Sequence, residues 1–210
     1  YSRDGLTWFG GGANIFTGSA KKIAVHGRWV AVGSGTNSLA YSNDGIYWTG
    51  LGTAFFIDGL ALAVNQAGRW FAGGSTGSAY SDDGATWTAV ALTGVNTVIW
   101  NKDIWLAASN TDLYTSQNGV IWNRNYALSG YPITGLGSFE NTVVAMSNGI
   151  VYISTLDLGV WSSHSFGNSD PITGFAQIRT EFLFSSGTSI YWTADFNTWT
   201  TTTLSAIAPS

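Results

Sequence analysis

Residues Tyr41–Trp48 read YSNDGIYW, and Tyr80–Trp87 read YSDDGATW. Aligned on the tryptophan, both belong to a seven-residue pattern, Ser/Thr-x-Asp/Asn-x-x-x-Trp. It occurs six times: Ser2 to Trp8, Ser42 to Trp48, Ser81 to Trp87, Ser116 to Trp122, Thr155 to Trp161 and Thr193 to Trp199. The tryptophans are 40, 39, 35, 39 and 38 residues apart. A period near forty with several short strands in each unit is the signature of a propeller, in which each repeat is a four-stranded blade.

The stretches between the turns supply the strands. KKIAV and RWVAVGS flank a tight His26-Gly27 turn, and SLAYS and IYWTG flank Asn43-Asp44-Gly45, which is how hairpins are written. The next unit repeats this as GLALAV, RWFAGGS, SAYS and ATWTAV, and later units drift, with IWLAAS, TVVAMS and EFLFSS in the place of RWVAVGS. The strands are apolar on both faces, as expected of sheets stacked between two neighbours. Gly, Ser, Thr, Asn and β-branched residues dominate, and no stretch keeps a helical apolar period for three turns. The expected fold class is all-β, a propeller of four-stranded antiparallel blades.

Within the motif, the Asp or Asn at the third place (Asp4, Asp44, Asp83, Asn118, Asp157, Asp195) is placed to accept hydrogen bonds from the backbone N–H groups that follow. Glycine at the fourth place allows positive φ, and the Ser or Thr hydroxyl braces the turn. The tryptophan (Trp8, Trp48, Trp87, Trp122, Trp161, Trp199) is expected to start the outer strand and cover the hairpin, a burial worth about 2–3 kcal/mol. A catalytic residue is needed once, whereas a hinge is needed in every blade, so this repetition reads as construction.

Composition sets the boundaries. Charged residues are 10% of the chain, aromatics 15%, and there are 27 glycines, which describes much buried apolar surface and frequent turns. The net charge of -4 and eight scattered Lys and Arg leave no electrostatic footprint for nucleic acid or an anionic membrane. No apolar run is long enough to span a bilayer, since TAFFIDGLALAV is broken by Asp58. The absence of cysteine excludes a disulfide framework and a thiolate zinc site.

The motif resembles the Asp-box, or BNR repeat, of sialidases, sortilin-type receptors and photosystem-assembly propellers. Its compact form, GRWVAVGSG followed by AYSNDGIYWT, is similar to repeats of phage virion or tail proteins and of bacterial surface proteins. The resemblance extends over the whole chain at the level of the repeat. It implies that the boxes sit at the blade periphery, away from the usual ligand face. The chain departs from the pattern by a box one residue shorter than the longer form. Leu158 and Phe196 also replace the glycine in the last two copies, so those turns are expected to differ in type.

Five repeats, approximately 9–48, 49–87, 88–122, 123–161 and 162–199, are expected to form one domain over 1–210, with 1–8 and 200–210 sharing a closing blade. That makes six blades, with five as the alternative. The chain begins inside a motif and reads as a fragment of a longer protein.

For chemistry, the resemblance first suggests a sialidase, which needs three arginines converging on a carboxylate. The arginines are Arg3, Arg28, Arg69, Arg124 and Arg179. Arg3 lies in a box, and Arg28 and Arg69 occupy equivalent turn positions, so the set does not assemble. A glycosidase needs two facing carboxylates, for which Asp58 and Asp170, each just before an inner strand, are the candidates. Neither His26 nor His164 has a companion at ligand spacing, and no catalytic group, metal or cofactor is expected.

The loops joining one blade's outer strand to the next blade's inner strand are the longest and most variable parts of the repeat, and they gather on one face. They carry Phe9, Phe16, Phe55, Phe56, Tyr126, Tyr131, His164 and Phe166 among Asn, Ser and Gly. Aromatic faces stack on sugars, and the same composition suits adaptable protein interfaces. The candidate ligand-binding set is therefore Phe55, Phe56, Asp58, Tyr126, Tyr131, His164, Phe166 and Asp170. The expected function is a non-catalytic interaction module, extracellular or carried on a virion, that recognises a glycan or a cell-surface or virion protein. The alternatives are a glycoside hydrolase of sialidase-like type and a structural or assembly scaffold.

Overall fold

The computed structural model describes residues 4–7, 15–128 and 130–204, and its regular structure there is entirely β. Twenty strands form five sheets. Blade 1 is β1 (Ala20–His26), β2 (Arg28–Gly33), β3 (Leu39–Ser42) and β4 (Thr49–Gly50). Blade 2 is β5 (Gly59–Val64), β6 (Trp70–Gly74), β7 (Ser78–Ser81) and β8 (Thr88–Val90). Blade 3 is β9 (Val95–Asn101), β10 (Ile104–Ser109), β11 (Asp112–Ser116) and β12 (Asn123–Ala127). Blade 4 is β13 (Gly135–Phe139), β14 (Thr142–Met146), β15 (Ile150–Thr155) and β16 (Trp161–Ser165). Blade 5 is β17 (Ile172–Ile178), β18 (Glu181–Ser186), β19 (Ser189–Thr193) and β20 (Thr200–Thr203). Within each sheet the strands lie in chain order, as an antiparallel meander.

The described residues thus hold five blades, not six. Thr200–Thr203, expected to help close a sixth, is the outer strand of blade 5, paired to β19 from Ser189↔Thr203 to Trp192↔Thr200. The rest of the expected closing blade, including Trp8 and residues 205–210, lies outside the described residues. The tryptophan is also placed differently from expectation. Among the described motif tryptophans only Trp161 begins an outer strand; Trp48, Trp87, Trp122 and Trp199 end the turn, each indole N–H donating at 3.2 Å to the carbonyl three residues back. That bond holds the residue in the turn, and the strand starts after it.

The chain divides into two compact units, Tyr1–Asn125 and Tyr126–Ser210. In the first, Val30, Val32 and Leu39 of blade 1 pack against Leu62, Trp70, Ala72 and Trp87 of blade 2. Blade 2 in turn offers Ala61 and Phe71 to Val95, Val98 and Trp105 of blade 3. In the second, Val144, Met146 and Val151 of blade 4 meet Ile172, Phe182, Phe184 and Tyr191 of blade 5. In blades 2, 3 and 5 the face toward the preceding blade is therefore built on the motif tryptophan (Trp87, Trp122, Trp199) and on Trp70, Trp105 or Phe182 near the start of the second strand. The other face of a blade, toward the following one, is built on residues one place out of phase, because successive side chains of a strand alternate.

Candidate functional site

The six-fold motif resolves as a self-contained turn. At Asp83, one carboxylate oxygen accepts from Ala85 N at 2.8 Å and Thr86 N at 2.7 Å, while the Ser81 hydroxyl bonds the same oxygen at 3.0 Å and accepts from Gly84 N at 2.8 Å. Asp44, Asn118 and Asp195 make the same set, and Asp4 makes the two backbone bonds. The N–H groups of Thr86 and Ala85 favour the ionised carboxylate and lower the Asp83 pKa to about 2. The same cause lowers Asp44 and Asp195.

Two turns depart from glycine, and the prediction that both would change type holds for one. Phe196 keeps the left-handed conformation (φ 58°) with every bond of the regular turn. The reason is packing. A Cβ on Gly84 would lie 3.3 Å from the indole nitrogen of Trp70, but blade 5 has Phe182 in that strand place, and the Phe196 ring packs on it at 4.4 Å between centroids. Blade 4 has Val143 there, and Leu158 (φ 55°) is buried. This turn does differ: Asp157 accepts from Gly159 N at 3.2 Å, and the Trp161 indole N–H has no partner.

The arginines read as turn residues have a second task. Arg28 lies over the Tyr41 ring at 5.0 Å, donates Nε to Asn43 at 2.9 Å, and donates Nη1 to the Asp83 carbonyl of the next blade at 2.6 Å. Arg69 repeats this with Tyr80 at 5.3 Å, Asp82 at 2.6 Å and the Asn118 carbonyl at 3.0 Å. Each guanidinium ties its own blade to the motif turn of the following one. Arg124 instead pairs with Asp112 at 2.7 Å within blade 3.

At the opposite end, the inter-blade loops are tied to the turns between second and third strands. The Asn37 side chain donates to Ile15 O at 2.7 Å and accepts from Gly52 N at 2.8 Å. Ser78 Oγ donates to Leu92 O at 2.6 Å, and Ser147 Oγ donates to the carbonyls of Tyr131 at 3.0 Å and Pro132 at 2.9 Å. Ser186 Oγ donates to Asp170 O at 3.0 Å. These serines, 1% exposed or less, were not singled out in the sequence; Ser147 and Ser186 recur at the end of the second strand, which was the available signal, whereas Ser78 opens a third strand.

The eight candidate residues separate on this frame. Phe56 is a core side chain, 1% exposed, and Phe55 packs half-buried on the same cluster. His164 lies on β16, stacked on Trp199 at 4.3 Å and 8°, and Phe166 stacks on Tyr191 at 3.9 Å and 5°. These four expected ligand contacts are therefore packing residues, because each has an aromatic or apolar neighbour that covers it. Asp58 is half-buried and accepts Ser75 N through its carbonyl at 3.1 Å; Asp170 is exposed and accepts Gly149 N through its carbonyl at 2.8 Å. The two acids lie in different compact units. Tyr126 remains exposed beside Trp161 at 5.9 Å, Tyr131 is 51% exposed, and Ile57, not foreseen, is 59% exposed. Among the described residues no group of three His, Cys, Asp or Glu could hold a metal ion, and no helix is long and apolar enough to cross a membrane.

No family model and no curated relative matches the sequence. Solved structures do match. The chain is similar to YCF48 bound to a D1 peptide, with 15% identity, TM-score 0.67, and 88% of this chain and 66% of that one covered. It is similar to the WD40 β-propeller domain of Doa1, with 14% identity, TM-score 0.65 and coverage of 84% and 65%. A third likeness is to a chain of the nidogen/laminin complex, with 10% identity, TM-score 0.63 and coverage of 82% and 73%. The chain thus spans just under two thirds of the length of the first two. Together with the five meander sheets, these likenesses establish the β-propeller fold.

Proposed function

We propose that this chain is a non-catalytic interaction module that recognises a protein segment, displayed outside the cell or on a virion, at the loop end of its blades. The observation that carries the reading is that the loops there are held by buried hydroxyl and amide bonds while Ile57 and Tyr131 remain exposed. Side chains presented on loops that are already fixed lose little freedom on binding. That a propeller of similar fold is seen with a D1 peptide, and another in the nidogen/laminin complex, supports a protein ligand. A glycan is the second reading, supported by the exposed ring of Tyr131 amid Ser and Gly.

The motif turns are Asp-boxes of the BNR type in this reading, and they serve construction and not recognition, since in each regular copy one side-chain oxygen of the Asp or Asn is taken up by the turn's own backbone. Peptide and glycan arrays probed with the purified chain test the proposal. Tyr131→Ala weakens the selected ligand by about tenfold with unchanged melting. Hydrolysis of a glycan by the wild type, lost in Asp58→Asn or Asp170→Asn, would replace this reading with the glycosidase one. A ligand sensitive only to changes in the motif turns would place recognition at the other end of the blades.

A further inference from the structure

The third place of the motif is aspartate in every copy except that of blade 3, which carries Asn118 followed by Gly119. The difference matters chemically. The turn's N–H groups hold Asp44 and Asp83 ionised, and an ionised carboxylate resists nucleophilic attack at its carbon. A neutral amide is open to attack, and this turn surrounds it with the groups that the attack needs. Asn118 Oδ1 accepts from Val120 N at 2.9 Å, Ile121 N at 3.0 Å and the Ser116 hydroxyl at 3.2 Å. These donors fix the amide with its oxygen inward and are placed to hold negative charge growing there. The Ser116 hydroxyl also accepts from Gly119 N at 2.8 Å, so one oxygen links that peptide nitrogen to Oδ1. Arg69 of the preceding blade donates to the Asn118 backbone carbonyl at 3.0 Å, and a cation on that oxygen makes the N–H of the same peptide unit more acidic. No other motif turn combines these features. Arg28 reaches the Asp83 carbonyl in the same way, but the side chain there is ionised. The Asn-Gly pair of blade 4, Asn148-Gly149, has the amide, but Gly149 N donates at 2.8 Å to the Asp170 carbonyl, an oxygen with no proton to hand on.

We propose that Asn118 is a site of self-modification, converted to aspartate through a cyclic imide formed with the backbone nitrogen of Gly119. Gly119 N bonds to Asn118 Cγ, closing a five-membered ring, while its proton passes to Ser116 Oγ and the hydroxyl proton of Ser116 passes to Oδ1. The tetrahedral centre then collapses: the bond from Cγ to Nδ2 breaks, the proton on Oδ1 moves to Nδ2, and ammonia leaves from an exposed side chain. Water opens the imide at Cγ, restoring the ordinary peptide bond and leaving a carboxylate at position 118. The net change is one water taken up and one ammonia released. The turn accepts this product, because Asp44 and Asp83 make the bonds of Asn118 in the neighbouring blades.

Peptide mass spectrometry on the purified chain tests this. The folded chain is held at mildly alkaline pH, sampled over time and digested, and the exchange of amide for acid is followed at Asn118 and Asn148, with the chain unfolded in urea as the reference. In the folded chain Asn118 is expected to convert about tenfold faster than Asn148, and about tenfold faster than it does in urea. Ser116→Ala and Arg69→Gln should each slow folded Asn118 by about tenfold and leave its rate in urea unchanged. Ser116→Thr keeps the hydroxyl and should keep the fast rate. The rate at Asn148 serves as an internal clock for loosening of the fold, and Arg69→Gln decides the matter should Ser116→Ala lose its far-ultraviolet circular dichroism. Asn118→Asp, the product made directly, is expected to melt no lower than the wild type. Folded Asn118 that reacts no faster than in urea, or that is not slowed in a folded Ser116→Ala or Arg69→Gln chain, would overturn the proposal, as would an Asn118→Asp chain that melts lower.

Discussion

The two compact units join neighbouring blades by different chemistry. In the first, a cation crosses the joint: Arg28 and Arg69 stack on a tyrosine of their own blade and donate to a turn carbonyl of the next. In the second, the corresponding places are Thr142 and Glu181 and no guanidinium makes that tie; parallel ring stacks cross the joint, His164 on Trp199 and Phe166 on Tyr191, where the first unit has the tilted Phe71–Trp122 pair. The exchange extends into the motif turns. Where the second strand carries Trp70 or Trp105 the turn keeps glycine; where it carries Phe182 the Phe196 ring packs on it, and in blade 4, with Val143 in that place, the turn carries the buried Leu158. The repeat conserves the shape of a joint, and the atoms that supply the shape are interchangeable.

The largest expected effect is on the aromatic joint. Phe166→Ala removes a ring stacked between the blades of the second unit and should cost about 3 kcal/mol. Hydrogen exchange should show protection lost in blades 4 and 5 while β5 and β9 keep theirs. Equal loss in both units would break the comparison.

Next come the turns. Asp83→Ala deletes the acceptor of two backbone N–H groups and a hydroxyl, and should lower unfolding free energy by about 1–2 kcal/mol in denaturant titration. Asp157→Ala, whose carboxylate takes one backbone bond, should cost less. Arg69→Ala should cost about 1 kcal/mol, since an exposed ion pair adds little and the ring contact and carbonyl bond supply the rest. Arg69→Lys should recover only part of it, because an ammonium lacks the planar fork that reaches both partners.

The smallest effect is on pH, and it separates the units. Burial against Trp199 lowers the His164 pKa below its ordinary 6.5, so the unfolded chain takes up a proton first as the solution acidifies. Stability of the second unit should therefore begin to fall below about pH 6.5, and His164→Gln should remove that slope. The folded pKa of Asp83 is depressed, so its contribution is present above the ordinary 3.8 and is lost as pH falls toward about 2. Melting followed through blade-specific exchange from neutral to acid pH should show the second unit responding first.

The sequence alone determined the turn, the period and the strand order. All the partners of the Asp83 carboxylate lie within the six residues Ser81–Thr86 that the motif spells out, and a hydrogen bond between near neighbours needs no knowledge of what packs outside. Four-stranded meanders at that period followed directly. What it did not determine was which aromatics would be seen by solvent. Phe56, His164 and Phe166 looked like ligand contacts because they lie in variable stretches rich in Ser, Asn and Gly, and Tyr131 looked the same. Only the tertiary structure set them apart, by placing Tyr191 and Trp199 over two of them and leaving Tyr131 open. The blade count and the arginine ties were decided the same way. Burial and inter-blade bonds depend on a neighbouring sheet dozens of residues away, as Arg28 on Asp83 shows, and the position of that sheet is not written in either residue's own surroundings.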